Sequence, residues 1–203
     1  MTDAEESDAN KVIFLGESSV GKTNLIKVAV GQKFDPDSIT TWAPTNVTKE
    51  YVYNNKKYLF NLWDTIGQEL YRSLSKIFFK DSDIVVLVYD ITSRKSFEEL
   101  EYWHETVQKE LSGNYVLALV GNKSDLFTQE QVTEEEGRNY AEKIGAKFKL
   151  TSAKNEAANF VRFLEETFED YLKKNSGSNS IRLRGLTIDK LQFEQKPKKK
   201  SFC

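Results

Sequence analysis

The segment Gly16-Glu17-Ser18-Ser19-Val20-Gly21-Lys22-Thr23 follows an apolar run, Val12–Leu15, and precedes a helical pattern. Its glycines let successive backbone N–H groups converge on phosphate oxygens, and the helix that follows adds its positive N-terminus. In such a loop Lys22 reaches the β and γ phosphates and the Thr23 hydroxyl ligates Mg²⁺. Alone the pattern says only "nucleotide", and its plain alternative is a glycine-bearing turn between a strand and a helix.

A second group, Asp64-Thr65-Ile66-Gly67-Gln68, follows the run ending at Trp63. A carboxylate closing a strand sits where open α/β sheets bind ligands. There Asp64 holds Mg²⁺ through water, the Gly67 N–H meets the γ phosphate and Gln68 orients an attacking water. An Asp that merely caps a helix is the plain alternative. Two further groups follow later strands: Asn122-Lys123-Ser124-Asp125 and Thr151-Ser152-Ala153-Lys154. Guanine offers N1–H and N2–H₂ donors on one edge, which one fixed carboxylate such as Asp125 accepts together, whereas adenine presents an acceptor there. Paired polar recognition of this kind discriminates strongly. In this order, each after a strand, the groups point to a guanine nucleotide.

The elements that must position these residues alternate short apolar strands with amphipathic helices, the pattern of a mostly parallel α/β sheet. Strands are expected at Val12–Leu15, Val47–Tyr53, Tyr58–Trp63, Ile84–Tyr89, Val116–Val120 and Lys147–Leu150, with Asn54-Asn55 turning the second and third into an antiparallel hairpin. Helices are expected over Lys22–Val30, Ser93–Leu111, Thr133–Ile144 and Ala157–Leu172. The aromatic stripe of the last, Phe160, Phe163, Phe168 and Tyr171, reads as core.

The 203 residues suit one domain. No stretch nears the roughly 20 apolar residues of a membrane span, and the acidic first ten residues, expected to be disordered, do not read as a signal peptide. One cysteine and one histidine leave no internal disulfide and no Cys or His metal cluster, as in a cytosolic chain. His104 and its neighbour Trp103 belong to no motif and read as helix surface or packing residues. The net charge of −2 hides an asymmetry. Residues 173–203 carry nine Lys/Arg against two Asp/Glu, and the rest carries 20 against 29. A basic tail on an acidic body argues against a nucleic-acid groove and suits an anionic surface. The expected organisation is an acidic N-terminus over 1–10, a nucleotide-binding domain over 11–172 and a flexible basic tail over 173–203.

GESSVGKT, WDTIGQE, GNKSD and TSAK, in that order, resemble the motifs of Ras-superfamily small GTPases over about Lys11 to Leu172. Leu70–Lys80 and Leu87–Phe97 are most similar to the Rab branch. The resemblance implies a P-loop G domain with a six-stranded sheet, one strand antiparallel, and about five flanking helices. It implies a switch that binds GTP and GDP with Mg²⁺, hydrolyses GTP slowly and works in vesicle trafficking. Lys22, Gln68 and a switch threonine would serve hydrolysis. Gly16 to Thr23 and Gly67 would hold phosphates; Phe34, Asn122, Lys123, Asp125, Ser152, Ala153 and Lys154 would hold guanine. Thr23, the switch threonine and Asp64 would serve Mg²⁺. The Rab spacing selects Thr41, 18 residues after Thr23 and 23 before Asp64, over Thr45, which lies 19 before Asp64. Phe34, 11 residues after Thr23, matches the aromatic packed edge-on against the base.

Three departures stand out. Trp42-Ala43-Pro44-Thr45-Asn46 replaces the usual effector sequence, so Asn46 stands where Rabs present an aromatic beside Trp63 and Phe78. Ile66 stands where the family mostly has Ala, adding β-branched bulk beside the γ phosphate. The sequence ends in a single Cys203 after Lys196, Lys198, Lys199 and Lys200, where paired cysteines are common. Cys203 still resembles a geranylgeranylation site, and the lysines would supply the second anchoring signal. The implied partners are an exchange factor, a GTPase-activating protein that brings an arginine, a GDP-dissociation inhibitor or escort protein, and effectors. The implied location is the cytosol and the cytosolic face of intracellular membranes. A GTP-binding scaffold that scarcely hydrolyses is the rival suggested by Ile66; a P-loop ATPase or kinase is disfavoured by Asp125.

Overall fold

The structure, a computed structural model, describes residues 9–38, 45–65, 79–111 and 113–176. Six strands form one sheet in the order β2-β3-β1-β4-β5-β6. They are β1 Asn10–Leu15, β2 Thr45–Tyr53, β3 Lys56–Asp64, β4 Ile84–Asp90, β5 Val116–Asn122 and β6 Lys147–Leu150. Only the β2–β3 pair is antiparallel among the described ladders. Its turn is Asn54-Asn55, both at positive φ (50° and 60°), the left-handed geometry that asparagine tolerates. Among the described residues five α-helices of five residues or more flank the sheet: α1 Lys22–Ala29, α2 Arg94–Glu98, α3 Leu100–Glu110, α4 Glu134–Ile144 and α5 Ala157–Ser176. A 3₁₀ helix over Ser124–Gln129 joins β5 to α4.

The expected fold is therefore the observed one, with differences at element ends. The single helix expected over Ser93–Leu111 is two helices meeting at Glu99, which ends the first and opens the second while keeping a right-handed backbone (φ −69°, ψ −9°). Ser93 caps the first by accepting from the Ser96 N–H. The last helix runs four residues beyond Leu172, because Lys173 pairs with Glu169 at 3.0 Å and Lys174 donates to the Tyr115 carbonyl at 3.1 Å.

Strand side chains alternate between two apolar layers. Val12, Phe14, Val86 and Val88 face α1 and α5; Ile13, Leu15, Val85 and Leu87 face α3 and α4. Both faces are covered, so β4 reads as an unbroken apolar run. Phe160, Phe163 and Phe168 lie in the first layer, with Phe168 stacked on Phe60 at 3.8 Å. Trp103 is core, and His104 beside it is half-buried, its pKa held down by burial.

The chain leaves β1 toward β3 on one side and later returns to β4 on the other. This reversal opens a crevice at the carboxyl end of β1, where ligands of such sheets bind.

Candidate functional site

The residues from Gly16 to Gly21 form the loop from β1 into α1 at that crevice. Gly16 has φ 144°, and a β-carbon there would lie 2.1 Å from the Val88 carbonyl oxygen. Gly21 has φ 97°, and a β-carbon there would lie 2.3 Å from Asn122 Nδ2. Both positions thus require glycine for conformation and for space. The tightness at Gly21 brings the end of β5 against the loop into α1: Asn122 Nδ2 donates to the Val20 carbonyl at 2.8 Å. Glu17, Ser18 and Ser19 complete the loop, Ser19 at φ 64°.

Lys22 opens α1 and is 5% exposed. Its ammonium donates to the Gly16 and Glu17 carbonyls, each at 2.8 Å, which aims it back across the loop. Burial lowers its pKa to about 8, against the opposing pull of Asp64 and Glu17. Thr23 donates its hydroxyl to Asp64 Oδ2 at 2.6 Å. Asp64 ends β3 and is buried; Thr65 beside it donates its hydroxyl to the Phe14 carbonyl. A carboxylate and a hydroxyl in contact form a hard, all-oxygen donor set that suits Mg²⁺, which takes one or two carboxylates and completes its shell from phosphate and water. No group of three His, Cys, Asp or Glu among the described residues forms a protein-only cage.

The segments Asn122–Asp125 and Thr151–Lys154, at the ends of β5 and β6, interlock. Asn122 Oδ1 accepts from the Ala153 N–H at 3.1 Å. Ser152 donates its hydroxyl to Asp125 Oδ1 at 2.5 Å and accepts the N–H groups of Lys154 and Asn155, each at 3.1 Å. Lys123 lies in the left-handed region and pairs with Asp90 Oδ2 at 2.6 Å.

One cavity of about 370 Å³ joins these parts. Lys22 and Thr23 line it at one end and Asn122, Lys123, Asp125, Ser152, Ala153 and Lys154 at the other, with Phe34 on its wall. A cation with amide donors at one end and a fixed carboxylate at the other can hold a polyphosphate and a purine edge together. Thr41, Ile66, Gly67, Gln68, Phe78, Cys203, the Trp42-to-Pro44 part of the effector segment and the tail beyond Ser176 lie outside the described residues. Thr45 and Asn46 begin β2, exposed, opposite Asp64 and Trp63.

Sequence reasoning missed Asp90, Asn24, Pro36, Ser38 and Thr65 as site residues; all but Asp90 line the cavity. Asp90 carried a signal, being an Asp that closes an apolar strand just as Asp64 does.

A family model described as the Ras family matches residues 11–176. Ras-related protein Rab-21 of Bos taurus is 38% identical over 164 residues, covering 81% of this chain and 72% of that protein. Rab-22A of Homo sapiens is 37% identical over 145 residues, covering 71% and 75%. Rab-2B of Dictyostelium discoideum is 38% identical over 164 residues, covering 81% of each. The chain belongs to the Ras family. It is a Rab-like small GTPase of vesicle trafficking, hydrolysing GTP to GDP and phosphate.

A buried ammonium placed against a polyphosphate would give nucleotide binding a pH dependence. Phosphate oxygens would favour the charged form of Lys22, so binding above pH 8 would take up a proton and affinity would fall as pH rises, by at most about tenfold per unit. GDP affinity measured at pH 7 and pH 9 should show this fall, and Lys22→Met should abolish the Lys22 part of it. The stability of the chain alone has the opposite sign. A lysine at about 8 in the fold and 10.5 in the unfolded chain makes the unfolded state hold more protons, so stability rises through that window.

Proposed function

We propose that the cavity is the GTP site and that the chain cycles as a membrane-associated switch. The observation that carries this reading is the single cavity shared by Lys22 and Asp125. Gly16 to Thr23 bind the phosphates, Lys22 bridging the outer two. Asn122 ties the base pocket to the phosphate loop, Asp125 accepts the guanine donors, and Phe34 packs on the base beside Lys123, Ser152, Ala153 and Lys154. Thr23 and, through water, Asp64 would hold Mg²⁺, which would supply positive charge against the phosphate oxygens. Thr41 closes over that group; the strand ladder that engages Thr45 supports Thr41 as the switch residue. Gln68 orients the attacking water and Gly67 meets the γ phosphate. With Thr41 and Gly67 held by GTP and released by hydrolysis, effectors distinguish the two states.

Single-turnover hydrolysis tests the assignment of Gln68. The parent chain should exceed Gln68→Leu by at least tenfold, and equal rates would overturn the role given to Gln68. Ile66→Ala at the parent rate would mark Ile66 as tolerated bulk; a large acceleration would show that it restrains hydrolysis.

An exchange factor, an activating protein, a GDP-dissociation inhibitor or escort protein and effectors complete the cycle. Asn46, an exposed amide opposite Trp63, gives the effector surface a polar member. Membrane attachment combines a prenyl group on Cys203 with Lys196, Lys198, Lys199 and Lys200. One prenyl chain alone binds marginally, and each lysine adds about 1 kcal/mol against anionic lipid. Chain produced with a Rab-type prenyl transferase should sediment with anionic vesicles, and Cys203→Ser should stay in the supernatant. Equal sedimentation of both would overturn lipid attachment at Cys203.

A further inference from the structure

The loop that follows α1 carries Phe34, and its shape is set by a residue outside every motif. Asn24, in the first turn of α1, faces Asp35 with both ends of its amide. Nδ2 donates to the Asp35 carbonyl at 3.0 Å, and Oδ1 accepts the Asp35 N–H at 2.9 Å. A planar amide bonded to both backbone groups of one residue fixes that residue in distance and in rotation. Asp35 is the residue after Phe34, so the same pair fixes the direction from which the Phe34 ring enters the cavity.

The Asp35 side chain is gripped as well. Lys27, one turn further along α1, pairs with Oδ2 at 2.8 Å, and the Asp37 N–H donates to Oδ1 at 3.0 Å. The Lys27 hydrogen bond holds the Asp35 carboxyl below its ordinary pKa, so the grip persists across neutral pH. At the start of the loop the Gln32 N–H donates to the Lys27 carbonyl at 2.9 Å. Helix formation does not explain asparagine at position 24. Asparagine is a poorer helix former than alanine, since its side chain competes for backbone groups. Here the competing groups belong to another segment.

We propose that Asn24 is a positioning residue for nucleotide retention: it locks the Asp35 backbone to α1 and so holds Phe34 against the base, slowing nucleotide release. This rests on Phe34 packing against guanine. Two half-buried hydrogen bonds are at stake, and each is worth a few-fold to about tenfold in an equilibrium. Asn24→Ala should therefore speed release roughly tenfold or more.

The experiment is release of a fluorescent GDP analogue from the full chain, chased with excess GDP, in four forms: parent, Asn24→Ala, Phe34→Ala and the double variant. Phe34→Ala should release fast, Asn24→Ala should approach it, and the double variant should be no faster than Phe34→Ala. The thermal midpoint of Asn24→Ala should fall only a little, because a better helix former offsets part of the two lost hydrogen bonds. A loosened fold would instead lower the midpoint as far as a core truncation does and multiply the two rate effects. An unchanged rate in Phe34→Ala overturns the role of Phe34, and the proposal with it. Fast release from Phe34→Ala beside a parent-like Asn24→Ala, or multiplied rates in the double variant, overturns the role of Asn24 alone.

Discussion

Asp125→Asn is expected to lose GDP affinity by about 10⁴-fold and to gain a xanthine nucleotide as ligand. The geometry gives both halves of the result. The Ser152 hydroxyl accepts the N–H groups of Lys154 and Asn155 and spends its own hydrogen on Asp125 Oδ1. In the variant the asparagine oxygen takes that hydrogen, and its NH₂ is left where guanine presents N1–H and N2–H₂. Donors then face donors in a desolvated pocket, and each unmade bond costs the full penalty of a buried polar group. Xanthine carries an oxygen in place of the guanine amine and meets the new NH₂ as an acceptor. Since Ser152 keeps its partner, the loop keeps its shape, and the change should be one of specificity rather than of folding. Dissociation constants for GDP and for xanthosine diphosphate, measured side by side, check this. GDP binding within tenfold of the parent would remove Asp125 from the base site.

The residues of this site divide by how their partners are placed along the chain. The phosphate loop and the segments around Asn122 and Ser152 are contiguous, so their chemistry and their strand-end positions are both legible in sequence. The sheet is legible for a related reason. Full burial of β4 on both faces produces the run Ile84 to Tyr89, and Asn54-Asn55 supplies the only turn that a hairpin of that twist needs. Asp90 with Lys123 and Asn24 with Asp35 are different. Each pair joins segments that only the folded chain brings together, and no periodicity links an acid at 90 to a lysine at 123. The break at Glu99 is hidden because its backbone stays right-handed and the apolar spacing continues through Leu100, Trp103 and Val107. Lys173 and Lys174 count as tail by charge, yet an ion pair and a carbonyl contact hold them in α5. Composition registers the sign of a side chain and not the partner it finds.

Lys22→Met is the second substitution with a large expected effect, and it separates binding from folding. The methionine chain has nearly the length of the lysine stem and carries no charge. Burial has pushed the lysine to a pKa of about 8, so the fold spends free energy to keep an ammonium at 5% exposure. Methionine removes that cost but leaves the Gly16 and Glu17 carbonyls without the donor they have at 2.8 Å. The two terms oppose each other, and the unfolding free energy of the chain alone should move by no more than about 1–2 kcal/mol. Nucleotide binding has no such compensation. In the proposed site the β and γ oxygens would lose a charge-assisted donor, a loss that typically costs 2–5 kcal/mol, or roughly 30- to 5,000-fold in affinity. The deficit should be larger for GTP than for GDP if Lys22 bridges both outer phosphates as proposed, and small for guanosine, which has none. Titration of the three ligands against parent and variant gives the answer in one series. An equal loss for guanosine would mean that the whole site has collapsed; equal affinities for GTP in parent and variant would mean that the buried ammonium serves the fold and not the phosphate.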